Sequence, residues 1–225
     1  MNETRAREAI CAIGESLYAR GYVHATAGNI SVRLEDGGFL ITPTDACLGR
    51  LEPQRLARLD ASGRQLCGDR GSKTMALHRA IYAATRAAGH PAGCVLHTHS
   101  THAVALTPRG HGCAPDPELL PALTPYFVMK VGRVPLLPYH RPGDPAVAQL
   151  VAERIAAYAA RGIRLRALMM SRLGPNVWHD DPASAAAVLE ELEETARLAL
   201  LAGDGARPLE VDQLQELRDS FDAQW

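Results

Sequence analysis

The sequence predicts an α/β fold, a single domain over residues 1–225 in which a mixed β-sheet lies between helical layers. Three observations carry that prediction. Segments with apolar residues at helical spacing alternate with short apolar runs of strand length. The first two runs flank Glu35-Asp36-Gly37-Gly38, a hairpin turn signal, so an antiparallel pair is expected. Asp144-Pro145 and Asp181-Pro182 each offer an N-cap carboxylate followed by a proline suited to a first helical position.

Residues 3–20 read as a helix with Ala6, Ile10, Ile13 and Leu17 on one side. Strands follow at 30–33 and 39–42, the second ended by Pro43. Asp60-Ala61-Ser62-Gly63 is a further turn. A helix over 74–88 turns Leu77, Ala80, Ile81 and Ala84 inward. A strand over 93–97 comes next, then a helical start at Thr101 and a strand over 134–138. The helix opened by Asp144 stops at Gly162, and 165–170 is an apolar strand. The helix opened by Asp181 buries Leu189, Leu192, Ala196 and Leu200 and ends at Gly203. A last amphipathic helix covers 211–221.

Composition narrows the function. A chain of 225 residues, 47% hydrophobic and 22% charged, can bury a sizeable core. Its net charge of −1 gives no electrostatic case for nucleic acid or an anionic membrane, and 5% aromatic residues argue against a base-stacking platform. No apolar run is long enough for a bilayer span, and MNETRAREAI lacks the apolar core of a signal peptide. The five cysteines, Cys11, Cys47, Cys67, Cys94 and Cys113, form no CxxC and no disulfide framework. A reducing cytoplasm is therefore expected.

The chemistry centres on Cys94-Val95-Leu96-His97-Thr98-His99-Ser100. On a strand, two residues two apart point to one face, which would place both imidazoles toward one divalent ion such as Zn²⁺. Taken alone, the pair equally suits two polar residues at a strand end. Ala27-Gly28-Asn29-Ile30-Ser31 offers a flexible backbone and an amide where a helix gives way to a strand. Thr42-Pro43-Thr44 and Gly71-Ser72-Lys73 are hydroxyl-bearing loops, the second at a helix N-terminus that would attract phosphate or carboxylate. A plain turn and an N-cap at Ser72 explain these segments as well. His102, His111, His140 and His179 stand singly and His78 lies on a helix, so each reads as a solvent-facing or capping residue.

In order, AGNISVR at 27–33, LITPT at 40–44, GDRGSK at 68–73, HTHSTHA at 97–103 and EELEE at 190–194 resemble the class II aldolase/adducin family along nearly the whole chain. TPYFVMKVG at 124–132 and YHRPGD at 139–144 draw it toward the 3-oxo-tetronate 4-phosphate decarboxylase branch. The resemblance implies a class II aldolase-like three-layer fold and a homotetramer. It also implies a divalent metal, usually zinc, held by three histidines between subunits as a Lewis acid for enediolate chemistry. By position it makes His97 and His99 metal ligands, and Asn29, Thr44, Ser72 and Lys73 a phosphate cradle. Lys73 is also a catalytic candidate, and Tyr126 would reach a neighbouring subunit's site to handle a proton.

Three departures stand out. Thr74 replaces the general-base glutamate, a loss that typically forfeits about 10²–10⁴ in rate. Decarboxylation survives this better than aldol cleavage, because it needs no proton removal. Leu173 replaces the third metal histidine, with His140, His179 or a carboxylate as conceivable substitutes. Asp45 replaces a glycine of the phosphate loop, and Arg172 arrives at the site's margin, which points to an altered ligand. The sequence thus supports a carbon–carbon lyase on a small oxidised sugar acid or 3-oxo acid. Altered chemistry, as a metal-independent lyase or a non-haem iron enzyme, and a non-catalytic binding or structural subunit remain the alternatives.

Overall fold

The computed structural model describes residues 1–108 and 116–225, so His111 and Cys113 lie outside the described residues. Among the described residues eight strands form one sheet: β1 (Asn29–Arg33), β2 (Phe39–Ile41), β3 (Ala57–Leu59), β4 (Gln65–Cys67), β5 (Cys94–His97), β6 (Leu136–Leu137), β7 (Ala167–Met170) and β8 (Gly174–His179). Their spatial order is β4-β3-β2-β1-β5-β8-β7-β6. Only β6 and β7 pair in parallel among these neighbours, so the sheet is mixed as the sequence predicts.

Helices cover both faces. On one side α1 (Glu3–Ala19), α3 (Thr101–Leu106) and α5 (Pro182–Ala202) pack over a core that includes Ile10, Leu17, Leu96, Leu189 and Leu192. On the other, α2 (Met75–Ala87) and α4 (Ala146–Ala159) enclose Ile41, Ile81, Val95, Val151 and Trp178. Side chains alternate across each strand, which is why successive strand residues such as Val95 and Leu96 belong to different cores. The small helix α6 (Val211–Phe221) closes a third cluster with Leu217 and Ala223.

Capping chemistry sets several boundaries. Asp181 accepts from the Ser184 amide at 2.9 Å and starts α5, while Gly203, at φ 60°, ends it. Asp144 caps α4 by accepting from the Ala146 amide at 3.0 Å, although Pro145 is the residue that immediately precedes the helix. Strand β8 has no counterpart in the sequence reading, since Pro175 and Asn176 interrupt the apolar run that would reveal it. The strand expected over 134–138 shortens to the two residues of β6, paired with Met169 and Met170.

Candidate active site

The site lies where β1, β5 and β8 run side by side. His97 ends β5 and pairs with Asn29 on one side and Asn176 on the other, so three polar side chains share a face of the sheet. His97 is buried, and its Nδ1 lies 2.9 Å from the Pro175 carbonyl oxygen. A carbonyl only accepts, so Nδ1 carries the proton and Nε2 of the neutral ring keeps its lone pair. Burial, reinforced by the neighbouring His99 and partly opposed by the Pro175 bond, lowers the His97 pKa to about 4.

His99 lies beyond the strand end, so strand alternation is not what places it. The turn carrying it brings the two rings to 5.0 Å between centroids at 70°. Burial and then His24 lower the His99 pKa as well. Two glycines permit this turn. A Cβ on Gly174, at φ 147°, would sit 1.9 Å from the Thr98 carbonyl oxygen, and one on Gly28, at φ 86°, would sit 2.8 Å from that of His97. Downstream, the buried Glu193 of α5 accepts from the backbone amides of His102 and Ala103 at 2.8 and 3.0 Å and from His102 Nδ1 at 2.8 Å.

Across the cavity two loops are stitched together. The Thr44 hydroxyl donates to the Gly71 carbonyl at 2.9 Å, the Ser72 amide to that of Thr42 at 3.1 Å, and the Ser72 and Thr74 hydroxyls lie 2.8 Å apart. Thr74, not Ser72, is the residue preceding α2, and its side chain makes no capping bond. A cavity of about 630 Å³ brings Asn29, Thr44, Ser72, Lys73, Thr74, His97 and His99 to one surface, with Asp45 and Leu173 also in its wall.

Two predicted residues do not join them. Arg172, at φ 61°, donates its amide to Thr107 Oγ1 at 2.9 Å and lines an adjacent cavity of about 750 Å³ instead. Tyr126 stands 64% exposed before a π-helical turn, Phe127–Val131, outside the cavity wall. His78 corrects the solvent or capping role read from sequence. It is fully buried, its Nδ1 lies 2.7 Å from Ser31 Oγ, and burial, with His97 adding to it, lowers its pKa to about 3. Asp45 takes the left-handed backbone expected of a glycine, φ 58°, and also lines a smaller cavity beside Arg50, Arg55 and Arg70.

The sequence reading missed Asn176, hidden in the unrecognised β8, and Asp144 as a wall residue. Asp144 donates nothing and is already engaged by the Ala146 amide and, at 3.4 Å, by His140 Nδ1. It also missed His24, whose ring centroid lies 6.5 Å from that of His99. No sequence signal marks His24, because the loop that folds it toward His99 has no periodicity.

The family model described as "Class II Aldolase and Adducin N-terminal domain" matches residues 8–200. The chain belongs to the class II aldolase and adducin family. It is 53% identical to a 3-oxo-tetronate 4-phosphate decarboxylase of Cupriavidus necator over 99% of both chains. It is 40% identical to one from Escherichia coli K12 over 96% of each. Among solved structures it resembles YgbL of Klebsiella pneumoniae, with a TM-score of 0.85 and 40% identity over 97% of this chain and 100% of the other. L-fuculose-1-phosphate aldolase of Thermus thermophilus follows the same fold at a TM-score of 0.73 and 27% identity, covering 92% and 100%.

Class II aldolases typically depend on a divalent metal. Two donors here suit one: neutral imidazoles, His97 with its second nitrogen fixed by a carbonyl in the manner of a metal ligand. Leu173, where the family resemblance leads the sequence to expect a third ligand, lies in the wall of the same cavity and cannot coordinate. Among the described residues no three His, Cys, Asp or Glu side chains converge on one point. The three-histidine arrangement that the family resemblance implies therefore does not fit the described residues.

Proposed function

We propose that this protein is a carbon–carbon lyase that decarboxylates a small 3-oxo sugar acid bearing a phosphate, the reaction class for which its relatives are named. The observation that carries the reading is one cavity gathering Asn29, Thr44, Ser72, Lys73, His97 and His99 in a chain alignable end to end with those decarboxylases. In a 3-oxo acid the C1–C2 bond breaks, CO₂ leaves, and the electron pair enters a C2–C3 enolate with its charge on the C3 oxygen. Protonation at C2 then gives a three-carbon ketone that keeps the phosphate.

The chain's own groups have separate tasks. Lys73, with the hydroxyls of Ser72, Thr74 and Thr44, binds and orients the phosphate. Asn29 offers its amide to the substrate's oxygens. Leu173, Met170 and Val147 give the wall an apolar stretch, where a carboxylate is less favoured than neutral CO₂. Asp45 lies near three arginines, which offset the repulsion it would exert on a phosphate. Tyr126, exposed on one protomer, serves a neighbour's cavity by returning the proton, which requires an oligomer, proposed here as a homotetramer. Arg172 is a margin residue that reaches substrate only in that assembly. We place the protein in the cytoplasm. Among the described residues no helix is long and apolar enough to cross a membrane, and Cys11, Cys47, Cys67 and Cys94 are free thiols.

The test offers the purified protein 3-oxo-tetronate with and without the 4-phosphate. Faster CO₂ release from the phosphorylated acid is expected, and a preference for the unphosphorylated acid would overturn the cradle assignment. Dilution to monomers should abolish turnover, and an active monomer would contradict the role given to Tyr126.

A further inference from the structure

A buried polar chain ties helix α2 to strand β1 behind the cavity wall. His78 on α2, Ser31 on β1 and Tyr82 one turn further along α2 are all buried, the first two completely. His78 Nδ1 lies 2.7 Å from Ser31 Oγ, Ser31 Oγ lies 2.9 Å from Tyr82 Oη, and Tyr82 Oη donates to the Ser31 carbonyl at 2.9 Å. Counting protons fixes the direction of this chain. The carbonyl takes the Tyr82 proton, so the Ser31 hydroxyl donates to Tyr82 Oη and accepts from His78 Nδ1. The ring is neutral, which leaves Nε2 a buried acceptor with no partner among the described residues. An apolar side chain would avoid that cost, so stability does not account for the imidazole.

The two elements so joined carry the two halves of the site. Lys73 and Thr74 immediately precede α2, and the His78 amide donates to the Thr74 carbonyl at 3.1 Å, so His78 stands one helical turn behind the cradle. Asn29 lies two residues before Ser31 on the same face of β1, in register with His97 of β5. A second tie holds the start of the helix, where the Ser72 amide donates to the Thr42 carbonyl at 3.1 Å. One tie leaves a pivot, whereas two fix the tilt. The apolar contacts of Met75 and Ile81 resist separation from the sheet but set no angle, because burial has no direction. We propose that His78 is a positioning residue: through Ser31 it sets the angle of α2 and so holds Ser72, Lys73 and Thr74 in fixed relation to Asn29 and His97. The inference rests on the lyase reading, in which the phosphate is anchored at α2 while the reacting end of the acid meets the sheet. The angle between the two then decides whether the breaking bond is aligned.

The experiment measures steady-state CO₂ release from 3-oxo-tetronate 4-phosphate by the full-length protein and its variants. His78→Phe and Ser31→Ala should each lower kcat by about tenfold or more while KM moves by less than about threefold, because the cradle itself is untouched. His78→Asn, whose amide nitrogen takes the place of Nδ1, should keep kcat within about threefold of wild type. The double variant His78→Phe with Ser31→Ala should be no slower than the slower single one, since both cut the same link. Two-bond ¹H–¹⁵N NMR of the wild-type imidazoles should show His78 protonated at Nδ1. A folded Ser31→Ala with kcat within about twofold of wild type, or a loss confined to KM, would overturn the proposal. So would additive losses in the double variant, a His78→Asn as slow as His78→Phe, or a His78 protonated at Nε2. Any of these in a chain that still releases CO₂ removes this inference alone, whereas a wild type that releases none removes the lyase reading with it.

Discussion

Glu193 joins the stability of the fold to the placement of the site. Its carboxylate is 2% exposed and holds two backbone amides at the start of α3, besides the ring of His102. Glu193→Ala would leave those two amides without their acceptor, at about 1–3 kcal/mol each, and would remove a favourable charge at a helix N-terminus worth about 0.3–1 kcal/mol. The half-exposed His102 ring regains water and adds little. The expected loss is about 4 kcal/mol, a large share of the roughly 5–15 kcal/mol typical of a domain. Glu193→Gln keeps one acceptor oxygen and should lose about half as much. Because α3 begins two residues after His99, both variants should also lower kcat/KM, by roughly tenfold or more, as the ring drifts. Urea unfolding followed by circular dichroism at pH 7 measures the first effect, and CO₂ release measures the second. A Glu193→Ala loss below about 1 kcal/mol would refute the capping argument.

Further outcomes follow from the same geometry. Lys73→Met should raise KM for the phosphorylated acid by about tenfold or more in steady-state assays while sparing the fold, since the side chain is exposed. Joining Leu173→His to Thr74→Glu supplies the ligand and base that the family resemblance assigns to those positions, and should raise lyase activity on 3-oxo-tetronate phosphate by about tenfold or more. No gain would mean a pocket fitted to another substrate. Buried His97 and His78 titrate near 4 and 3 in the fold against about 6.5 unfolded. The unfolded chain therefore binds more protons between those values, and stability is unaffected above pH 6.5 and declines as pH falls below it. The slope should be on the order of 2 kcal/mol per pH unit near pH 5, read from urea midpoints between pH 7 and 4.5. Flat midpoints over that range would contradict it.

The elements most legible in the sequence are those with a local signal. The Asp181-Pro182 start of α5, the Gly203 stop and the Glu35–Gly38 turn all appear where their chemistry places them. Strand β8 was not legible, because its pairing with β5 comes from a partner far along the chain and Pro175 masks the alternation that would reveal its hairpin with β7. At the site, the loops carrying Asn29, Thr44, Ser72, Lys73 and Thr74 do meet the two histidines in one cavity. Arg172, expected among the substrate-binding residues, does not line that cavity in the single chain. Its left-handed backbone and its amide bond to Thr107 turn it toward the next cavity. His78 and His24 were misread or passed over for a common reason. Whether a histidine is buried or stands at a rim depends on tertiary packing, which residue spacing does not encode.

The central claim is that this cavity breaks the bond to a carboxylate. It is tested most directly by incubating the protein with 3-oxo-tetronate 4-phosphate labelled with ¹³C at C1 and following the products by NMR. Label appearing in CO₂ in step with an unlabelled three-carbon ketose phosphate is the predicted result. Label retained in an organic product, or release no faster than in buffer, would contradict it.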